Sequence, residues 1–272
     1  MQDTKWCFVG AGNMASSLIG GLVGSGVSAN NVVVVDVSQR AIDNIKRSFG
    51  VQSAPSIEHI DEAAAVVIAV KPNLVETVCE ALVARSPSLI VSVAAGVRSD
   101  SMSAWLPEQT PIVRCMPNTP ALLGLGATAL FANSNCSDTQ KNQAQSLLST
   151  AGKTSWVSSE NELDAITALS GSGPAYFFYM IEHMAKAAEE LGLDVETSQE
   201  FAIETAFGAA SMARAQTHSA QELRENVTSK GGTTAAALSV FDEHGLSGII
   251  LKAMQAAQHR AIEMGDEFGA AS

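Results

Sequence analysis

The chain has 272 residues, enough for one large domain or two modest ones, and carries a formal net charge of -12 from 16 basic and 28 acidic residues. That balance excludes a nucleic-acid or anionic-membrane surface, because both demand clustered Lys and Arg against phosphate, and it leaves small-molecule partners as the expectation. No apolar run approaches the roughly 18 to 20 residues that cross a bilayer, and the opening Met1-Gln2-Asp3-Thr4-Lys5 lacks the layout of a signal peptide, so a cytoplasmic protein is expected.

The first apolar run, Trp6-Cys7-Phe8-Val9, passes into Gly10-Ala11-Gly12-Asn13-Met14-Ala15 and then a helical segment, Met14 to Val23. Strand, glycine turn and helix follow one another in the order a dinucleotide pyrophosphate needs. Gly10 allows the tight turn, Gly12 lets backbone approach the phosphates, and the small Ala15 lets helix and strand pack closely. The N–H groups around Asn13 and Met14 then offer a helix N-terminus to the anion. Alone the pattern is weak, since glycine turns also serve tight packing.

Next come Val32-Val33-Val34-Val35, a β-branched run of the kind buried on both faces, closed by Asp36, and a helix from Gln39 to Phe49 with Ser38 as N-cap and Gly50 as stop. A short strand is expected near Val51. Asp61-Glu62 leads to the strand Ala64 to Val70, closed by Lys71-Pro72. A helix from Leu74 to Ala84 and the strand Leu89 to Val93, running into Ala94-Ala95-Gly96, follow. This alternation predicts a parallel, doubly wound α/β sheet with its ligand crevice at the carboxyl ends of the strands. Gly10, Asp36, Val70-Lys71-Pro72 and Ala95-Gly96 therefore converge. The runs Ile112-Val113-Arg114-Cys115 and Ala127 to Phe131 extend the sheet, with Met116-Pro117-Asn118-Thr119-Pro120 as an irregular loop between them. A helix from Thr139 to Ala151 and the run Thr154 to Val157 complete a first domain, 1–161.

From residue 162 to 272 strand signals vanish and helical periods take over: Leu163 to Ser170, Tyr176 to Leu191, Val195 to Ala215, Ala220 to Asn226, Ala235 to His244 and Ile249 to Phe268, with a capping box at Ser219-Ala220-Gln221-Glu222. Charged residues are only 16% of the chain, where soluble domains average about 25%, so much of this helical surface is expected to be covered between subunits. Before the fifth of these helices lies Asn226-Val227-Thr228-Ser229-Lys230-Gly231-Gly232-Thr233-Thr234. Its hydroxyls, paired glycines and helix N-terminus form a second anion cradle, suited to a carboxylate or phosphate; the plainer alternative is an elaborate N-cap.

The four cysteines, Cys7, Cys79, Cys115 and Cys136, stand far apart without a C-x-x-C pair and are expected as buried thiols. None of the five histidines, His59, His183, His218, His244 and His259, falls in these loops or has metal-ligand spacing, so no metal is expected.

Ala168-Leu169-Ser170-Gly171-Ser172-Gly173-Pro174-Ala175-Tyr176, with the 226–234 stretch, Ala69-Val70-Lys71-Pro72 and Met116-Pro117-Asn118-Thr119-Pro120, resembles the pyrroline-5-carboxylate reductases. The resemblance runs from Gly10 to about Glu267. It implies reduction of the cyclic imine pyrroline-5-carboxylate to L-proline by a nicotinamide hydride, an N-terminal Rossmann-type domain, and an all-α C-terminal dimerisation domain that builds a homodimer and often a decamer of dimers. It further implies that Thr234 contacts the ring nitrogen, as the candidate catalytic residue, while Ser229, Gly231, Gly232 and Thr233, with Asn226 beside them, hold the substrate carboxylate. Asn118 would then hydrogen-bond the nicotinamide carboxamide, and the Ala95-Gly96 turn would lie against the ring. Lys71 is read as fixing its loop or contacting cofactor, because the mechanism needs no lysine there.

Cofactor preference pulls against this resemblance. Asp36 places a carboxylate where an adenosine ribose is accepted and a 2′-phosphate repelled, whereas many members of the family have Ser or Asn there and favour NADPH. Ser38, Gln39 and Arg40 lie just beyond and could coordinate a phosphate if Asp36 turned away. NADPH or NADH is therefore expected as cofactor, with NADH used at least as well. Two rivals are weighed. A β-hydroxyacid dehydrogenase should carry Lys and Asn one turn apart on the interdomain helix, whereas here Lys186 is followed by Glu190. A dinucleotide-binding protein without turnover would not need the second cradle.

Overall fold

The computed structural model describes residues 4–61, 64–215 and 217–269; Met1, Gln2, Asp3 and Glu62 of the stretches discussed above lie outside them. The chain forms two compact units, residues 1–172 with 257–272 and residues 173–256.

In the first unit, eight strands make one sheet: β1 (Trp6–Val9), β2 (Val32–Val35), β3 (Gln52–Ser53), β4 (Ala65–Ile68), β5 (Leu89–Ser92), β6 (Ile112–Met116), β7 (Gly126–Ala132) and β8 (Gly152–Trp156), in the spatial order β3-β2-β1-β4-β5-β6-β7-β8. The order reverses at β1, where the chain winds first one way and then the other. The helices between them are α1 (Asn13–Gly24), α2 (Gln39–Phe49), α3 (Val75–Leu82), α4 (Ser99–Trp105) and α5 (Asp138–Ser149), followed by α6 (Glu162–Ile166).

Period-two alternation explains the layers. Trp6, Phe8, Val32, Val34, Val67, Val91 and Val113 join Leu18, Ile19 and Leu22 of α1, Ile42 and Ile45 of α2, and Leu147 and Leu148 of α5 in one core. Cys7, Val9, Val66, Ile68, Ile90 and Ile112 join Val75, Cys79 and Leu82 of α3 and Met102 of α4 in the other. The α2 boundaries are set locally as expected: Ser38 accepts the Ala41 N–H, and Gly50 stops the helix at φ 69. One element carries no strong mark of its own in the sequence: helix α4 is short and polar, SDSMSAW. Strand β7 contains the predicted run Ala127 to Phe131, but its direction is reversed.

The expected parallel sheet holds from β3 to β6, but β7 pairs antiparallel with β6, and β8 then runs parallel to β7. The cause is the length of the connection. Residues 117–125 hold only a short 3-10 turn, Thr119–Leu123, and a parallel neighbour requires a crossover of a dozen or more residues.

The units also divide differently from a cut at 161/162. Leu163 and Asp164 are buried, Asp164 is paired with Arg98, and the segment through Ser172 belongs with the sheet. The last helix begins in the second unit and ends in the first, where Phe268 packs on the second core.

The second unit contains α7 (Gly173–Glu190), α8 (Val195–Arg214), α9 (Ala220–Asn226), α10 (Thr233–Glu243) and the start of α11 (Leu246–Gly269). Ser219 and Glu222 form the reciprocal capping box that the sequence predicts, and Asp194 accepts the Thr197 N–H at the start of α8. Its surface is strongly apolar: Phe177, Phe178, Tyr179, Phe201, Phe207, Ile203, Met212 and Leu251 are each more than half exposed. So many exposed large apolar side chains on the helices of one unit mark it as a candidate for association. Among the described residues no helix is long and apolar enough to cross a membrane.

Candidate functional site

In the first unit the carboxyl ends of β1, β2, β4, β5 and β6 place Gly10, Gly12, Asn13, Met14, Asp36, Ser38, Val70, Lys71, Pro72, Ala95, Gly96 and Asn118 along one edge of the sheet. Parallel strands in register make this inevitable once the connections are of similar length.

Gly10 and Gly12 have different reasons to be glycine. Gly10 lies at φ 106, and a Cβ there would come 2.4 Å from the Ala69 carbonyl oxygen, so it is demanded by the adjacent exit of β4. Gly12 has an ordinary extended backbone, φ -76 and ψ -175, and a Cβ there would meet nothing of the chain. Space left open beside an uncapped helix start fits a phosphate group, since α1 has no side-chain N-cap to compete for its first N–H groups. Ala15, fully buried beneath this turn, permits the close approach of α1 to the sheet.

Asp36 does not project freely. Its Oδ2 accepts the Ala11 N–H at 2.6 Å and its Oδ1 accepts the Ser38 N–H at 2.7 Å. Asn118 is likewise engaged. Its Oδ1 accepts the Ala127 N–H at 2.9 Å and its Nδ2 donates to the Ser170 carbonyl at 3.0 Å, which leaves one N–H and one lone pair for any ligand. Ser170 belongs to a π-turn, Thr167–Gly171, closed by the Ser172 N–H to the Thr167 carbonyl at 2.8 Å. Such turns recur at functional positions. A Cβ on Gly171 would come 2.4 Å from the Met116 Cε, the far end of a flexible side chain packed against this turn. Lys71 is exposed, and among the described residues nothing of the chain pairs with its ammonium.

Sequence reading missed the polar framework behind this edge. Arg114, one charge in an otherwise apolar strand, is buried and pairs with Glu160. Glu160 also accepts the Ser99 N–H and hydroxyl, each at 2.7 Å, and so caps α4 from a distance where Arg98 supplies no side-chain cap. Burial works against the Glu160 charge, but the Arg114 guanidinium and the hydrogen bonds from Arg114 and Ser99 outweigh it and hold the carboxyl below its ordinary value of 4.5. Arg98 in turn donates to Asn161 at 3.0 Å and Asp164 at 3.2 Å. The same loop is covered by the end of α11, where a Cβ on Gly96, at φ 79, would come 3.0 Å from the Met264 Cβ. The one available signal was Arg114 itself, since a buried cation requires a partner.

In the second unit the turn before α10 gathers Asn226, Ser229, Gly231, Gly232, Thr233 and Thr234. The Gly232 N–H bonds the Ser229 carbonyl at 3.0 Å, Gly231 takes the left-handed φ 74, and Gly232 becomes the N-cap of α10 with no side-chain cap. A Cβ on Gly232 would come 2.4 Å from the Ser229 Oγ. Thr228 spends its hydroxyl on the Arg224 carbonyl at 2.6 Å. Among the described residues no chain partner engages the side chains of Asn226, Ser229, Thr233 or Thr234.

The thiols take no part. All four cysteines are buried, and burial pushes Cys7 and Cys79 up to about 12 and Cys115 higher still. Among the described residues no cluster of His, Cys, Asp or Glu could hold a metal ion.

Comparison with known proteins matches two family models. One, described as pyrroline-5-carboxylate reductase dimerisation, covers residues 160–264. The other, described as NADP oxidoreductase, coenzyme F420-dependent, covers residues 5–96. The pyrroline-5-carboxylate reductase of Pseudomonas aeruginosa is 43% identical over 272 residues, spanning 99% of this chain and 100% of its own, and that of Haemophilus influenzae is 42% identical, spanning 97% and 98%. A solved pyrroline-5-carboxylate reductase from Coxiella burnetii superposes with a TM-score of 0.91 at 40% identity, over 96% of this chain and 98% of that one. The Plasmodium falciparum pyrroline carboxylate reductase, solved with NADP bound, has a TM-score of 0.85 at 27% identity, over 97% and 99%.

Proposed function

The chain belongs to the pyrroline-5-carboxylate reductase family, and we propose that its two glycine turns divide the reactants, NAD(P)H at Gly10–Ala15 and the cyclic imine at Ser229–Thr234. The activity is the reduction of 1-pyrroline-5-carboxylate to L-proline, the last step of proline biosynthesis.

One observation carries the division of labour. Each turn ends on a glycine N-cap without a side-chain cap, at the start of a helix of 12 residues in one case and 11 in the other. Two open helix N-termini of this kind suit two anionic ligands, a pyrophosphate and a carboxylate.

When bound, the dinucleotide supplies the hydride. The chain's own residues bind and orient. The N–H groups following Gly12 take the pyrophosphate, and the backbone of 229–233 takes the imine carboxylate. The Thr234 hydroxyl, on the first turn of α10 and free of chain partners, hydrogen-bonds the ring nitrogen and fixes which carbon is offered for reduction. Orientation of two bound reactants is worth up to about 7 to 11 kcal/mol where geometry is good, and no stronger acid than a hydroxyl is required of Thr234. The rival built on a catalytic lysine of the interdomain helix is disfavoured, because Lys186 is exposed and tied to Glu182 one turn away.

For the cofactor we propose that NADH serves at least as well as NADPH, since the Asp36 charge stays at the end of β2 whatever its hydrogen bonds. The matched family region supports association through residues 160–264; a homodimer, or a decamer of dimers, and a cytoplasmic location belong to the same reading. The test is purified protein with pyrroline-5-carboxylate and either cofactor, following loss of reduced nicotinamide and appearance of proline. No proline would refute the activity, and a strong preference for NADPH in kcat/KM would refute the cofactor reading alone.

A further inference from the structure

Asp36 sits where β2 leaves the sheet. The β1–β2 ladder continues one step past the strands through the Gly10 N–H to the Val35 carbonyl at 2.8 Å. Beyond that point the two chains diverge, Gly10–Asn13 into the glycine turn and Val37 fully into solvent. The Asp36 carboxylate spans the divergence, with Oδ2 on the Ala11 N–H at 2.6 Å and Oδ1 on the Ser38 N–H at 2.7 Å. Both bonds are short and charge-assisted, the stronger class of hydrogen bond. Each satisfies a backbone donor that the sheet cannot reach. The Ala11 N–H is thereby engaged within the chain, and Ser38 is fixed at the same time as the N-cap of α2.

We propose that Asp36 is a positioning residue for the dinucleotide turn: its carboxylate clamps the Gly10–Asn13 turn to the start of α2, so that dinucleotide affinity depends on it even where no adenosine ribose hydroxyl is present. This rests on the reading of that turn as the dinucleotide site. It differs from the usual role of an acid at the end of the second strand, which acts only through the ribose hydroxyls. A carboxylate offers about four acceptor sites, so the two backbone bonds leave room for a hydroxyl.

Asp36→Asn tests this closely, since the side chain keeps its shape while one carboxylate oxygen becomes an amide that cannot accept an N–H. Two measurements are made on the whole protein. The first is amide hydrogen exchange without ligand, with Phe8 and Val67 of the sheet as controls for global unfolding. The clamp requires faster exchange at Ala11 or Ser38 in the variant while the controls stay protected; unchanged exchange at both would overturn it. The second is binding of NADH and of its 2′,3′-dideoxyadenosine analogue. The clamp requires that Asp36→Asn weaken both by a similar factor, about tenfold, whereas a carboxylate acting only on ribose hydroxyls would leave binding of the analogue unchanged, which again overturns the proposal. Wild-type protein that bound neither dinucleotide would refute the cofactor reading, and the exchange measurement would still decide the clamp.

Discussion

The two glycine turns use the same physics under opposite support. At Gly10–Asn13 the surrounding sheet dictates the backbone: the Ala69 carbonyl lies where a Gly10 Cβ would go, Asp36 holds Ala11, and Ala15 is fully buried beneath. At Ser229–Thr234 the turn is shaped by its own residues, with Gly231 left-handed and, among the described residues, nothing near its Cβ position and no chain partner on the hydroxyls of Ser229 and Thr234. The first turn is therefore shaped by tertiary structure, and the second is a local motif on a helix start. Substitution of residues that the surrounding sheet constrains at the first, such as Gly10, should register in stability as well as binding, and removal of the hydroxyls at the second chiefly in turnover.

The largest effect is expected where the first region loses its framework. Glu160→Ala strands the buried Arg114 guanidinium and uncaps α4, and unfolding by denaturant should show a loss of about 3 to 5 kcal/mol. The same pair predicts a pH dependence. Because the folded-state carboxyl of Glu160 is held below its ordinary 4.5, its contribution is complete above that value and is lost as pH falls through the folded-state value. A melting series from pH 6 down to pH 3 should fall less steeply in Glu160→Gln than in the parent protein.

Gly10→Ala combines a left-handed backbone with a Cβ placed against the Ala69 carbonyl, and roughly 2 to 4 kcal/mol of stability should go together with dinucleotide binding. Gly12→Ala sharpens the contrast within one turn. Its Cβ meets no chain atom, so the melting temperature should stay put while NADH binding by calorimetry weakens by about tenfold or more. Equal loss of stability at the two glycines would break the distinction between a glycine the fold needs and one the ligand needs.

Thr234→Ala should leave both stability and NADH binding intact and lower kcat/KM for the imine by roughly 10- to 100-fold, the range for removing one hydrogen bond to a charged group. A parallel loss of cofactor affinity would mean that the turn is not independent of the first site. The smallest effect is expected at Gly231→Ala, where only the left-handed backbone opposes the change, at about 1 kcal/mol by thermal melts.

Period and punctuation made most of the fold legible. Short apolar runs marked β1, β2, β4, β5 and β6, because strands covered on both faces need mostly apolar side chains. Ser38, Gly50 and Ser219 marked helix ends because capping is satisfied within a few residues. Both glycine turns were readable for the same reason. What escaped was whatever depended on residues distant in sequence: the reversal of β7, the return of α11 to the first unit, the pairing of Arg114 with Glu160, and the chain partners of Asn118.

The sequence by itself thus determined most of the elements, the doubly wound parallel character of the sheet and the positions of both glycine turns, since each follows from local propensity and short-range hydrogen bonding. Only the tertiary structure decided what Asp36 does with its two oxygens, why Gly10 differs from Gly12, and which charges lie buried behind the site. A carboxylate or an amide has a role only once its partners are placed. Those partners, Ala11 for Asp36, Ser170 for Asn118 and Arg114 for Glu160, come from other elements of the fold.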